Sequence, residues 1–252
     1  MTVPSVVFIV PYRNRENHLN LFCRQMSYVL EDTTEQSHPI LIVEQGDDRP
    51  FNRGAMKNIG FLAIREKYPD DYKNITLVFN DIDSMPFSKN VLPYKTTRGI
   101  VKHFYGFNFA LGGIVSITAG DFELIGGFPN FWAWGFEDNE LQNRAEKHNL
   151  KIDRSVFYPI LDENIIHLQH GSTRGVNIQE KKRFVNHTIE GFSQIHNLDY
   201  TVENHTDKQE RIKMVRVNQF STQFFPSTEN VTHELSKGTP FKHVKVKMAM
   251  KF

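Results

Sequence analysis

Apolar and polar positions in the first half of the chain fall into blocks of two kinds. Val6-Val7-Phe8-Ile9-Val10 is a continuous apolar run closed by Pro11. Such a run predicts a strand buried on both faces, as in a parallel sheet. A polar turn covers residues 12–17, and then Leu19, Phe22, Met26, Val29 and Leu30 recur at three-to-four spacing. That period predicts a helix with one apolar face. Residues 39–43 predict a second strand, and Asn52 is placed to cap a helix whose inner face carries Met56, Ile59, Leu62 and Ala63. Residues 76–79 predict a third strand with a polar end, Asn80-Asp81-Ile82-Asp83. Strand, helix, strand, helix, strand is the pattern of a doubly wound α/β sheet. Ligands of such sheets bind beyond the carboxyl ends of the strands. The polar clusters after the first and third strands therefore fall on the binding edge.

The second half is less regular. Gly112-Gly113 precedes an apolar run at 114–117, and Gly126-Gly127 and Pro129 punctuate an aromatic stretch, Phe131-Trp132-Ala133-Trp134. Residues 137–148 predict a helix, and 165–170 a short strand carrying His167 and His170. Residues 171–183 are rich in Gly, Ser, Asn, Lys and Arg and read as a mobile loop. Beyond about residue 200 the periodicity is weak.

Composition narrows the picture in three ways. A length of 252 residues suits one large α/β domain or, at a stretch, two small ones. Thirty basic residues against 29 acidic ones leave a net charge of +1, so bulk charge indicates neither a nucleic-acid nor a membrane-surface partner. Cys23 is the single cysteine, so no disulfide can form within the chain and the fold does not depend on an oxidising compartment. The N-terminal residues lack the basic start and apolar stretch of a signal peptide, and no window approaches the roughly 20 apolar residues of a membrane span. The sequons at 74–76 and 186–188 accordingly read as chance tripeptides. These features lead to an expected cytoplasmic or intracellular setting, with a removed membrane anchor left open.

Several clusters carry chemistry, each with a plainer alternative. Asp81 and Asp83 alternate at a strand end, so both carboxylates can face one site and offer hard oxygen donors to Mn²⁺ or Mg²⁺; Asp is also common in turns. His167 and His170 add imidazole donors that favour Mn²⁺ or Zn²⁺, or are surface histidines. In Trp134-Gly135-Phe136-Glu137-Asp138 an indole face suits a sugar ring, and a carboxylate beside it can accept a hydroxyl proton. Acidic residues at a helix start also serve as caps. Arg13 and Arg15 can clamp phosphates or sit in a solvated turn, and Phe51-Asn52-Arg53 can hold a nucleobase or simply cap a helix. Lys57, one turn further on, reads as solvated.

Taken in order, Pro11-Tyr12-Arg13-Asn14-Arg15, Phe51-Asn52-Arg53, Asp81-Ile82-Asp83, Gly112-Gly113, residues 127–130, residues 132–138 and His167 through His170 resemble the β-1,4-galactosyltransferase family. The resemblance covers roughly residues 5–200. It implies an α/β, single-domain GT-A glycosyltransferase fold with a Rossmann-like nucleotide-binding half and a mixed sheet. The catalytic domain is expected over 1–200, with 201–252 as a C-terminal extension packing on it.

The implied activity is inverting, Mn²⁺-dependent transfer of galactose or N-acetylgalactosamine from a UDP-sugar donor to a hydroxyl of a glycan or glycoconjugate acceptor. Another UDP-sugar such as UDP-glucose, or a silent nucleotide- or carbohydrate-binding module, are the alternatives. The resemblance makes Asp83, His170 and His167 metal ligands, and Asp138 the base with Glu137 positioning sugar hydroxyls. Pro11, Arg13, Arg15, Phe51, Arg53, Asp81, Gly113 and Trp134 would bind the donor, and residues 171–183 would close over it. Three departures stand out. The chain lacks the disulfides and anchor of the vertebrate Golgi members, which points to a bacterial or viral source. Phe136 stands where the family has a second glycine, and Ala110 where galactose-selective members have tyrosine, so an acetamido sugar should fit the donor site.

Overall fold

The computed structural model describes residues 2–34, 36–186, 190–206, 209–226 and 230–234; the sequon at 186–188 and much of the stretch past 200 lie partly outside them. The chain runs β1 (Val6–Tyr12), α1 (Glu16–Val29), β2 (Ile40–Gln45), α2 (Arg53–Lys67), β3 (Thr76–Asn80), β4 (Ser84–Pro86), β5 (Ile100–Gly106) and β6 (Ile114–Thr118). It continues with α3 (Ala119–Leu124), α4 (Glu137–Lys147), β7 (Lys151–Asp153), β8 (Tyr158–Pro159), β9 (Ile165–His167), β10 (Thr173–Asn177) and α5 (Ile178–Val185). The last strands are β11 (His196–Thr206), β12 (Gln209–Ser221) and β13 (Asn230–Glu234).

One mixed sheet organises the molecule in the order β11-β12-β2-β1-β3-β6-β5-β7, with β8 also paired to β5. β12, β2, β1 and β3 are parallel to one another, whereas β11 runs antiparallel to β12, and β6 antiparallel to both β3 and β5. This is the α/β fold that the strand–helix alternation predicts, with the mixed sheet that the resemblance implies. The apolar run of β1 is buried on both faces because helices cover both. Val7 and Ile9 pack with Met56, Ile59 and Phe61 of α2 and with Phe122 and Leu141 of α3 and α4. Val6, Phe8 and Val10 pack with Leu19, Phe22 and Met26 of α1. β1 runs on through Pro11 and Tyr12, where Pro11 sits opposite Val43.

Two stretches differ from the sequence reading. Residues 171–183 are not an irregular loop: β10 pairs antiparallel with β13, and the Asn177 side chain accepts from the Gln179 amide to cap α5. Residue 200 falls inside β11, and β12 enters the sheet beside β2 with Ile212, Val215 and Val217 fully buried. Among the described residues no helix is long and apolar enough to cross a membrane.

Candidate active site

β1 sits between β2 and β3, so the three strand ends open onto one edge. Beyond β1 the chain turns through Asn14, whose φ of 47° asparagine tolerates well. That turn aims Arg13 and Arg15 along the edge. Beyond β2, Asn52 is fully buried, accepts from the Ala55 amide at 2.9 Å and donates to the Asn130 carbonyl at 3.1 Å. It caps α2 as predicted and sets Phe51 and Arg53 at the rim. Beyond β3, the Asn80 side chain donates to the carbonyls of Asp81 and Ser84 and folds the turn that presents Asp81 and Asp83.

A cleft along this edge is lined by Pro11, Arg13, Arg15, Phe51, Arg53, Asp81, Asp83 and His170. Through Arg13, Arg15, Phe51 and Arg53 it continues into a second lobe lined by Arg49, Trp134, Glu137 and Arg174. Arg15 pairs with Asp83 at 3.1 Å and Arg53 with Asp81 at 3.3 Å. Arg53 also lies 3.8 Å from Glu137. Burial would raise the Asp81 carboxyl, but Arg53, Lys57 and Arg15 together hold it below its usual range. Burial, and then the neighbouring Asp138 charge, push Glu137 up against the pull of Arg53 and Lys57.

Lys57 corrects the sequence reading most sharply. It is 2% exposed, and its Nζ lies 3.0 Å from Asp138 and 3.8 Å from Asp81. Its α2 neighbours Met56, Asn58 and Ile59 are also buried, because this helix is covered nearly all round. A helical period marks one inner face and cannot signal a helix that has two.

Asp138 lies in the first turn of α4, where the amide ends favour negative charge. Its carbonyl accepts from the Leu111 amide at 3.0 Å, and its carboxylate packs on Gly112. His103 braces that backbone from behind, its Nε2 3.0 Å from the Gly112 carbonyl and its Nδ1 accepting from Arg154. Phe136 begins α4 at a φ of 72°, a left-handed conformation that favours glycine. Its ring stacks on Phe184 of α5 at 4.8 Å, which offsets that strain.

The remaining predicted residues separate. Trp134 lines the cleft, but Trp132 is core, stacked on Phe220. Gly113 does not line the cleft. At a φ of 72° a side chain there would meet the Tyr105 carbonyl, and the Gly113 carbonyl accepts from the Asp81 amide; it positions Asp81 instead. Ala110 is buried and is not among the lining residues.

Asp83 and His170 share one lobe, and the Leu168 amide donating to the Asp83 carbonyl at 2.8 Å docks β9 beside the Asp81–Asp83 turn. His167 lies outside the lobe lining, its ring 5.8 Å from that of Tyr105, and its Nδ1 is buried with no hydrogen-bond partner. Among the described residues no three His, Cys, Asp or Glu side chains close around a point. The donor set of one carboxylate and two imidazoles nonetheless suits Mn²⁺, and the unsatisfied His167 nitrogen is an atom such an ion would satisfy. Partial burial, followed by Arg15, His18 and Arg174, lowers the His170 imidazole below its ordinary value and favours the neutral form a ligand needs.

Comparison with known proteins gives the following. Residues 1–95 match a family model described as the N-terminal region of glycosyl transferase group 7, and residues 96–171 one described as the N-terminal domain of galactosyltransferase. The chain is 32% identical over 159 residues to β-1,4-galactosyltransferase 5 of Sus scrofa, covering 60% of this chain and 40% of that protein. It is 32% identical over 184 residues to xylosylprotein 4-β-galactosyltransferase of Caenorhabditis elegans, covering 69% of this chain and 61% of that one. The chain thus spans about 40% of the length of the vertebrate relatives. The animal sources of these relatives lend the expected bacterial or viral origin no support. In structure it is similar to the catalytic domain of Drosophila β-1,4-galactosyltransferase 7 in complex with xylobiose. The TM-score is 0.69 at 22% identity, over 85% of this chain and 94% of that one. A mutant of the fly enzyme, in complex with manganese, UDP-Gal and xylobiose, matches with a TM-score of 0.68 at 21% identity.

Proposed function

Since the chain belongs to the β-1,4-galactosyltransferase family, within glycosyl transferase group 7, we propose that it transfers galactose or N-acetylgalactosamine, with inversion, from a UDP-sugar to a glycan hydroxyl. The observation that carries this reading is one cleft with two unlike ends. One end gathers Arg13, Arg15, Arg53, Asp81 and Asp83, a set suited to a diphosphate and its counter-ion. The other joins Trp134 to Glu137, with Asp138 next in the chain, a set suited to sugar rings and a proton.

The arginines would hold the diphosphate, Arg53 being already aligned by Asp81 and Glu137. Phe51 would lie against the uracil ring. Asp138 would take the proton of the acceptor hydroxyl as its oxygen attacks the anomeric carbon and the bond to UDP breaks. Glu137 would orient sugar hydroxyls, and Trp134 would stack on a ring face. Asp83, His170 and His167 would hold Mn²⁺, which supplies charge neutralisation at the departing diphosphate. The fly enzyme's complex with manganese, UDP-Gal and xylobiose supports the choice of cofactor and of the first acceptor to try.

The test is UDP release from UDP-galactose and UDP-N-acetylgalactosamine with Mn²⁺, with and without a xyloside or glycan acceptor, beside calorimetry of donor binding. Acceptor-dependent release is expected, falling by about 10²- to 10⁴-fold in Asp138→Asn while donor binding persists. In Asp83→Asn, stimulation by Mn²⁺ should disappear. Donor binding without any release would mean a silent binding module, and full activity in excess chelator would remove the metal.

A further inference from the structure

Lys57 is a buried cation to which the transfer reaction, as described, gives no task. It lies on the second turn of α2, 2% exposed, above the Phe128 ring at 4.5 Å. Taking an ammonium out of water is costly, and lysine is among the residues least often buried. What it touches is the carboxylate of Asp138 at 3.0 Å and, less closely, that of Asp81 at 3.8 Å. Asp138 is thereby held on two sides, by Nζ at Oδ1 and by Gly112 packed beside Oδ2.

Charge gives the contact its meaning. Glu137 and Asp138 are consecutive carboxylates at a helix start, and the charge of one disfavours ionisation of the other. A base that holds a proton cannot accept one. The groups facing the pair are Arg53 and Lys57 from α2, Asp81 from the turn after β3, and Arg174 across the cleft from β10. Arg53 attends Glu137 and Asp81, whereas Lys57 is the cation in hydrogen-bond contact with Asp138.

We propose, resting on the transferase reading, that Lys57 is a positioning residue: its ammonium holds the Asp138 carboxylate in place as the acceptor of the hydroxyl proton and, through Asp81, ties the base to the donor end of the cleft. In Lys57→Met, which keeps length and removes charge, kcat near neutrality should fall by roughly 10- to 100-fold with little change in donor KM. The acid limb of the kcat profile should move up by about one pH unit or more, so that part of the activity returns at higher pH. Lys57→Gln should behave alike. A uniform loss with an unmoved profile, or no loss, would leave Lys57 a structural ion pair and overturn the proposal.

A second readout does not need turnover. Carboxyl ¹³C titration of the wild type and Lys57→Met should show the 137–138 pair taking up its proton at higher pH in the variant. Identical titrations overturn the proposal even in an inactive protein. Absence of UDP-sugar turnover in the wild type, with the titration shift present, removes the transferase reading alone. Should neither variant fold, the ¹⁵N signal of the Lys57 ammonium in the wild type must follow ionisation of the acidic pair. A nitrogen blind to that titration overturns the proposal too.

Discussion

Gly112 and His103 set the place of Asp138 from outside the cleft lining. A Cβ added at Gly112 would stand 2.4 Å from Asp138 Oδ2 and 2.9 Å from its Cγ, so the carboxylate must swing away. Gly112→Ala should therefore lower kcat by about 10- to 100-fold while the donor dissociation constant stays within about twofold; wild-type kcat in the variant would show that Asp138 needs no such seat. His103 is buried between the Gly112 carbonyl and Arg154, and burial, then Arg154, lower its pKa from 6.5 to about 4. The native state thus refuses a proton that the unfolded chain accepts. Its contribution is whole above pH 6.5 and is lost as pH falls from there toward about 4, by roughly 3 kcal/mol at most. Urea unfolding midpoints should drop across that window, and in His103→Gln the slope should flatten. An equal slope in both proteins would reject the assignment. Of these two, Gly112 is visible in the sequence as half of a Gly-Gly pair, whereas His103 stands in a stretch with no chemical pattern around it.

At the level of elements, α4 carries Glu137 and Asp138 yet has no side-chain cap at its start. It is anchored from its other end. Arg144, buried, pairs with Glu140 at 3.2 Å and donates to the carbonyls of Gly127 at 2.7 Å and Glu190 at 2.6 Å. Arg144→Met would leave the buried Glu140 carboxylate without its cation and the two carbonyls without this donor, at a cost of about 3–5 kcal/mol. Denaturant melts should show that loss, and one below about 1 kcal/mol would mean that solvent replaces the arginine. Elements with a strong local period, such as α1 and β1, were legible, as was the Asn52 cap. β5 was not, because Lys102 and His103 interrupt its apolar run. β10 has the sequence of a loop because its pairing is supplied by β13, more than fifty residues on.

For the molecule as a whole, the decisive strand is β12. Ile212, Val215, Val217 and Phe220 are each at most 2% exposed, and the first three lie in the stretch that pairs with β2 inside the sheet. Burial of such side chains is worth about 1.5–3 kcal/mol each. Together that is about 6 kcal/mol or more, comparable with the whole margin of roughly 5–15 kcal/mol by which domains are stable. A chain ended at residue 200 should therefore lack a cooperative thermal transition. Cooperative unfolding of the shorter chain would show that β12 is dispensable.

The sequence alone determined the order of strands and helices through β3, the polar strand ends and the residue types that meet there, because burial on two faces, caps and turns leave short-range periods. It also carried the family, through motifs in register. Tertiary structure decided the rest. Whether Lys57 is wet or dry depends on Phe128 and Asp138, some seventy to eighty residues away. Whether Trp132 or Trp134 faces a ligand depends on Phe220 taking the first into the core. Whether residues past 200 belong to the sheet depends on an edge that β2 presents. Each is a contact between segments distant in the chain, and such contacts carry no local period.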